Sequence, residues 1–263
     1  MNSNSPYRGG PLPVLGESTN QVLAATTLPI SETFFSVQGE GVLTGVPSFF
    51  VRTSGCNLRC AWCDTPYASW SPSGTVRTLE SILEERRSIA VTQSIRHVVL
   101  TGGEPMLFAA IESLCASWAK ERVHVTIETA GTIFRDLHCD LMSISPKLAN
   151  STPTVGDPRD PSSIWRTRHE ERRLNMSVLQ QLIDLYPSRQ LKFVVSEPAQ
   201  LIEIEQLFAK LQGLLPEQIL LMPEGVITPT RERTSWVVEA CKARGWRYCH
   251  RLHIELFGNV RGT

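Results

Sequence analysis

Ser54-Gly55-Cys56-Asn57-Leu58-Arg59-Cys60-Ala61-Trp62-Cys63-Asp64-Thr65 puts three cysteines at the spacing Cys-x3-Cys-x2-Cys on one short stretch. Three thiolates there can hold three irons of a four-iron, four-sulfur cluster. Such clusters normally take a thiolate on every iron, so a missing fourth cysteine leaves one iron open to an outside ligand. A structural zinc site asks for four ligands, arranged as Cys-x2–4-Cys with a second pair some distance away. The later group of ligand types, Cys249, His250 and His253, falls in a stretch that reads as a strand. A disulfide fits worse, because three cysteines on one loop cannot pair off and nothing marks the chain for export. Cys115 continues the helical stripe Met106, Leu107, Ala110, Ile111, Leu114, Trp118, and Cys241 continues Trp236, Val237, Ala240. Both read as small core hydrophobes. Cys139 and Cys249 carry no assigned chemistry.

With 263 residues the chain can bury a full core and fits one domain of barrel or open α/β size. Lys plus Arg equals Asp plus Glu, 26 each, so no global field calls for nucleic acid or an anionic membrane. No apolar run approaches the roughly 20 residues that span a bilayer. The first residues lack a basic region followed by an apolar core, so they are no signal peptide. A cytoplasmic protein follows, in a reducing compartment that suits an oxygen-sensitive cluster.

Residues 1–27, with Asn, Ser, Pro and Gly among few large apolar residues, read as a poorly ordered leader. Residues 28–263 then read as a single domain in which strand and helix signals alternate. Strands are expected at Glu32–Val37, Ser48–Thr53, Val98–Thr101, Val123–Glu128, Leu141–Ser145, Leu191–Val195, Ile219–Met222 and Arg247–Ile254. Helices are expected at about 78–93, 105–119, 176–186, 198–212 and 230–244. Thr228-Pro229 reads as an N-cap before a first-position proline, and Gly245 closes that helix. Such alternation means βαβ units and a mostly parallel sheet. The units are too few for a closed eight-fold barrel, so an α/β fold of the partial, open (βα) barrel kind is expected, its site at the C-terminal strand ends. An inserted loop at about 148–173, rich in Pro, Ser and Arg, is too long for an ordinary connection and reads as a lid or mobile insertion.

Several motifs fall just past expected strand ends. Val98-Val99-Leu100 runs into Thr101-Gly102-Gly103-Glu104-Pro105, where paired glycines let the backbone approach a ligand and Glu104 can take an ammonium group. Gly-Gly and Pro are also ordinary turn chemistry. Further strands end in Glu128-Thr129-Ala130-Gly131, Ser145-Pro146-Lys147 and Met222-Pro223-Glu224-Gly225. Together these polar ends look like the wall of a cofactor cleft. Upstream, Val37-Gln38-Gly39-Glu40-Gly41 offers amides to a flat polar ligand. Arg52, one strand before the cysteines, either clamps a carboxylate in bidentate fashion or snorkels from a strand edge.

The cysteine spacing, followed by Gly102-Gly103-Glu104-Pro105, resembles the radical S-adenosylmethionine enzymes. Within them, Asp64-Thr65 after the cysteines, Gln38-Gly39-Glu40 upstream, Ser145-Pro146-Lys147 and the tail Arg251-Leu252-His253…Phe257-Gly258…Arg261-Gly262-Thr263 resemble the 7-carboxy-7-deazaguanine synthase family of the queuosine and deazapurine pathway. The resemblance runs from Phe35 to Thr263. It implies a barrel of the radical S-adenosylmethionine type and a lyase that turns 6-carboxy-5,6,7,8-tetrahydropterin into 7-carboxy-7-deazaguanine. An adenosyl radical would abstract hydrogen from carbon 6, and the ring would contract with loss of ammonia.

The implied cofactors are a [4Fe–4S] cluster on Cys56, Cys60 and Cys63, S-adenosyl-L-methionine, and Mg2+ on Thr65. Trp62, Cys63, Asp64, Gly103, Glu104, Glu128, Ser145, Pro146, Lys147, Met222, Pro223 and Glu224 would line the S-adenosylmethionine site. Val37, Gln38, Gly39, Arg52, Thr101 and Thr263 would hold the pterin. A homodimer is implied, as is an electron donor such as a flavodoxin or ferredoxin. Two other readings stay open on the residues: an activase for a glycyl-radical enzyme, which acts on a protein, and a cluster- or zinc-bearing binding module.

Overall fold

The computed structural model describes Leu23 and residues 26–263, so nearly all of the expected leader lies outside the described residues. The strands are β1 (Thr27–Val37), β2 (Pro47–Thr53), β3 (Thr75–Thr78), β4 (His97–Gly102), β5 (His124–Thr129), β6 (Leu141–Ile144), β7 (Arg189–Val195), β8 (Ile219–Pro223) and β9 (Arg247–Tyr248). They form one nine-stranded sheet in the order β3-β1-β2-β4-β5-β6-β7-β8-β9. From β2 to β9 every neighbouring pair is parallel, whereas β1 runs antiparallel to both β2 and β3. The two ends of the sheet do not pair, which makes the barrel partial and open, as expected.

Side chains alternate across the strands and so sort into two layers. Phe49, Val51, Val98, Leu100, Val125, Ile127, Phe193 and Leu221 enter one core with the helix residues Ile82, Leu83, Ile111, Leu114 and Trp118. Cys115 and Cys241 belong to that core. The alternate positions Arg52, Thr101, Glu128, Ser143, Lys192 and Met222 face the concave side and line a cleft.

The helices follow local signals. Thr78 caps residues 79–92 by accepting from Ser81 N–H, and Asn175 caps 176–185 by accepting from Val178 N–H. The helix over 231–244 is capped by Thr230, two residues beyond the expected Thr228, and ends at Gly245 with φ +67°. A left-handed residue there is cheap only for glycine.

Three expectations are corrected. Strand pairing after β8 stops at Tyr248, and Leu252–Phe257 is a short helix. The turn comes where Leu252 N–H bonds to Gly39 O at 2.9 Å and leaves the sheet. The 148–173 segment is no bare loop, since it carries a helix over Ile164–Arg172. β1 begins five residues before the expected Glu32, at Thr27, and gains β3 as a partner.

Beyond the two-residue β9, the segment after β1 leans across the sheet's open side. Gly41 N–H meets Cys249 Sγ at 3.1 Å, and Val42 N–H meets Gln190 Oε1 at 2.9 Å. No helix among the described residues is long and apolar enough to cross a membrane.

Candidate active site

A cleft of about 310 Å³ opens at the C-terminal strand ends, and Cys56, Cys60 and Cys63 all border it. Their loop packs directly on the glycine turn after β4. A Cβ at Gly103 would stand 2.2 Å from Gly55 O and 2.5 Å from Ala68 O, so only glycine lets the two turns touch. Leu58, Ala130 and Trp62 surround the thiols with an apolar wall. Burial pushes the Cys60 thiol up to about 12, and burial, then Glu104, raises Cys56 further. Iron binding therefore has to displace protons as well as fill the niche.

Among the described residues no group of three or more His, Cys, Asp or Glu is arranged to hold a single metal ion. In a cluster each thiolate takes a separate iron. The donor set of three cysteines in a mostly apolar niche fits a [4Fe–4S] cluster with one free corner.

Behind the cysteines, the insertion grips their loop. Arg59 N–H donates to His169 Nδ1 at 3.1 Å, and Ala61 N–H donates to Ser151 O at 2.8 Å. Because Nδ1 accepts, His169 donates from Nε2 to Ser151 Oγ, 2.8 Å away. Burial lowers His169 to about 4, which keeps this neutral tautomer in place. The Arg59 guanidinium stacks 3.8 Å from the Trp165 ring and donates to Cys56 O and Leu58 O. Trp70 Nε1–H bonds Cys60 O at 2.9 Å.

The cleft floor is a charged network. Lys192, 4% exposed, pairs with Glu40 at 2.8 Å and Glu128 at 3.6 Å. Glu128 also accepts from Gln38 Nε2 at 3.2 Å and Thr101 Oγ1 at 2.9 Å. Arg251 bonds Glu40 at 3.2 Å and also Asp64, tying the first strand's loop to the cysteine loop. Burial would raise Glu40, but Lys192 and Arg251 outweigh it and hold its carboxyl well below the usual range. The same carboxylates hold Lys192 protonated against its burial.

Most expected site residues meet here. Val37, Gln38, Gly39, Arg52, Trp62, Asp64, Thr65, Thr101, Gly103, Glu128, Ser145, Lys147, Met222, Pro223, Glu224 and Thr263 all border the cleft. Pro146 is buried. Glu104 is fully buried and accepts from Met106 N–H, Thr129 Oγ1 and Ala130 N–H. These three bonds brace the turn after β4. Arg52 spends Nε on Glu32 Oε1 at 2.7 Å, which leaves the Nη edge for a ligand.

Sequence reasoning missed Glu32, Tyr67, Lys192 and Arg251 as cleft residues. Only Lys192 had a readable signal, a lone charge in the apolar run Leu191-Lys192-Phe193-Val194-Val195.

The radical SAM superfamily profile matches residues 50–175. A 7-carboxy-7-deazaguanine synthase of Rhodopirellula baltica is 45% identical over 240 residues, covering 90% of this chain and 90% of its own. The chain belongs to the 7-carboxy-7-deazaguanine synthase family. A synthase of the same name from Halobacterium salinarum is 43% identical over 242 residues, covering 90% of this chain and 93% of its own. The crystal structure of QueE from Escherichia coli superposes with a TM-score of 0.64 at 25% identity, covering 90% of this chain and 100% of that one. TYW1 with a lysine-pyruvate adduct shares the fold, with a TM-score of 0.51 at 12% identity, over 74% of this chain and 72% of that one. This member of the synthase family is a radical S-adenosylmethionine enzyme, with a [4Fe–4S] cluster and S-adenosylmethionine as its family's cofactors.

Proposed function

We propose that this synthase-family enzyme converts 6-carboxy-5,6,7,8-tetrahydropterin to 7-carboxy-7-deazaguanine with loss of ammonia, in queuosine and deazapurine biosynthesis. One observation carries the reading: a single cleft joins the three cysteine thiols to a polar floor containing Arg52, Gln38, Thr101 and Glu128. When bound, the cluster and S-adenosylmethionine supply the radical that takes a hydrogen atom from the substrate. The chain's own residues bind and orient. Cys56, Cys60 and Cys63 hold the cluster. Trp62, Cys63, Asp64, Gly103, Glu104, Ser145, Pro146, Lys147, Met222, Pro223 and Glu224 form the wall for S-adenosylmethionine, with the Glu104 carboxylate taking its ammonium group.

Val37, Gln38, Gly39, Arg52, Thr101 and Thr263 surround the pterin, with Glu128 reaching both ligands. The Arg52 Nη edge receives the substrate carboxylate end-on. Thr65 offers its hydroxyl to Mg2+, a hard cation that binds through few protein oxygens plus water and substrate. Residues 28–263 act as one domain, the functional unit is a homodimer, and the reductant is a flavodoxin or ferredoxin.

Anaerobically reconstituted enzyme, given the carboxypterin, S-adenosylmethionine, Mg2+ and reduced flavodoxin, should release the deazaguanine. Cofactor cleavage that needs a protein partner would favour the activase reading, and no cleavage at all would favour a binding module.

A further inference from the structure

Glu32 sits on β1 directly across the register from Arg52 of β2. The register slips between Ile30 and Glu32, which makes Ser31 a bulge. Bulges re-aim neighbouring side chains and free a backbone group from the ladder. Both effects are used. Ser31 O accepts from Arg261 Nη2 at 2.6 Å, and the Glu32 side chain is turned into the cleft.

There Glu32 gathers three groups. Its Oε1 accepts from Arg52 Nε at 2.7 Å and from the Tyr67 hydroxyl at 2.8 Å, and its Oε2 accepts from Arg261 Nε at 3.1 Å. The Arg261 guanidinium lies 4.4 Å over the Tyr67 ring. Arg261 belongs to the closing segment 258–263, which lines the same cleft. Among the described residues Nη1 and Nη2 of Arg52 have no hydrogen-bond partner. The bonds to Glu32 and Ser31 hold Arg261 at the edge of that clamp.

The geometry points to Glu32 as a positioning residue that fastens the closing segment to the carboxylate clamp, so that Arg52 and Arg261 together receive one carboxylate of the substrate. This rests on the carboxypterin reading given above. One carboxylate between two guanidiniums leaves a single net positive charge, matched to one incoming carboxylate. The sign of a substitution separates this from a mere neighbouring charge. If Glu32 only repelled the substrate carboxylate, Glu32→Gln would tighten binding. If it positions the two arginines, the same change weakens binding.

The test is steady-state kinetics on Glu32→Gln, Arg261→Ala and the double variant, with iron content and substrate-free cofactor cleavage as controls. The Michaelis constant for the carboxypterin should rise about tenfold in Glu32→Gln, the worth of a lost charge-assisted bond, while kcat changes little. The double variant should be no worse than the worse of the two single variants, because the two act as one unit. A lowered or unchanged Michaelis constant, or additive losses, overturns the proposal. Should Glu32→Gln fail to take up iron, Arg261→Ala decides, and an unchanged Michaelis constant there overturns it. Hydrogen exchange on substrate-free enzyme is independent of the substrate's identity. Faster exchange over residues 258–263 in Glu32→Gln supports the fastening, and equal exchange refutes it even if the enzyme proves inactive on the carboxypterin.

Discussion

At the scale of single residues, the cleft is decided by groups with no freedom to be anything else. A methyl at position 39 would sit 1.9 Å from His253 Nδ1, and one at position 103 would collide with two backbone oxygens. These positions were legible because glycines and cysteines at fixed spacing form a motif. Glu32 and Arg251 were not, because a charged residue acquires meaning only from its spatial neighbours. Changing Cys56, Cys60 or Cys63 to Ala is expected to abolish the cluster's visible absorbance and the reductive cleavage of S-adenosylmethionine. Cys115→Ala should keep full iron content at a packing cost of about 1 kcal/mol, and four irons in a Cys60→Ala protein would refute the ligand assignment. Thr65 lies 3.8 Å from Cys63 Sγ through its hydroxyl and borders the cleft. Thr65→Ala should reduce ring contraction about tenfold more than uncoupled cofactor cleavage, an effect consistent with losing one metal ligand. Equal loss of both, measured as product against 5′-deoxyadenosine, would remove Mg2+ from that site.

Among the elements, the insertion changes meaning most between sequence and structure. Its helix, Ile164-Trp165-Arg166-Thr167-Arg168-His169-Glu170-Glu171-Arg172, carries only two apolar residues, so no apolar stripe announces it. Its order comes from the cysteine loop it holds. The 252–257 helix escaped for a different reason: six residues are too few for period 3.6 to separate from period 2. The long apolar strands and the helices with capping threonine or asparagine were readable, since each element buries one regular face. His169→Ala would leave the buried Arg59 N–H without its acceptor, at about 1–3 kcal/mol for such a group, while Ser151 Oγ keeps its bond to Leu148 O. The expected result is a reconstituted enzyme that loses iron faster on desalting, with His169→Gln partly restoring retention. Iron loss equal to wild type would show that the insertion does not stabilise the loop.

Over the whole molecule, the α/β alternation and the open parallel barrel followed from the order of elements, but the antiparallel β1 and β3 did not. Nothing local in Thr75-Val76-Arg77-Thr78 says which strand it will join. The barrel floor adds a global property. His97 lies between Ser48 Oγ at 2.5 Å and Thr126 Oγ1 at 2.8 Å, and burial, then His124, lowers it to about 4. An unfolded histidine titrates near 6.5, so the unfolded chain takes up its proton first as pH falls. The stabilisation from neutral His97 is complete above about 6.5 and is lost progressively as pH falls toward about 4. Urea midpoints should drop between pH 7 and pH 5 by more in wild type than in His97→Gln, and identical drops would exclude His97 as the cause.

The wall that joins residues 38–42 to residues 249–252 has a consequence for the protein's birth. Gly41 and Cys249 are 208 positions apart, and Glu40 and Arg251 are 211 apart. At about 5–20 residues per second, a ribosome that has just made the cysteine loop needs roughly 10–40 s more to make the residues that close the cleft. Through that interval the thiols face open solvent on one side, where a half-held cluster would meet dioxygen. Iron delivery should therefore follow synthesis of residues 249–252. Nascent chains stalled before residue 249 are expected to carry no iron when isolated anaerobically, whereas full-length chains from the same lysate carry it.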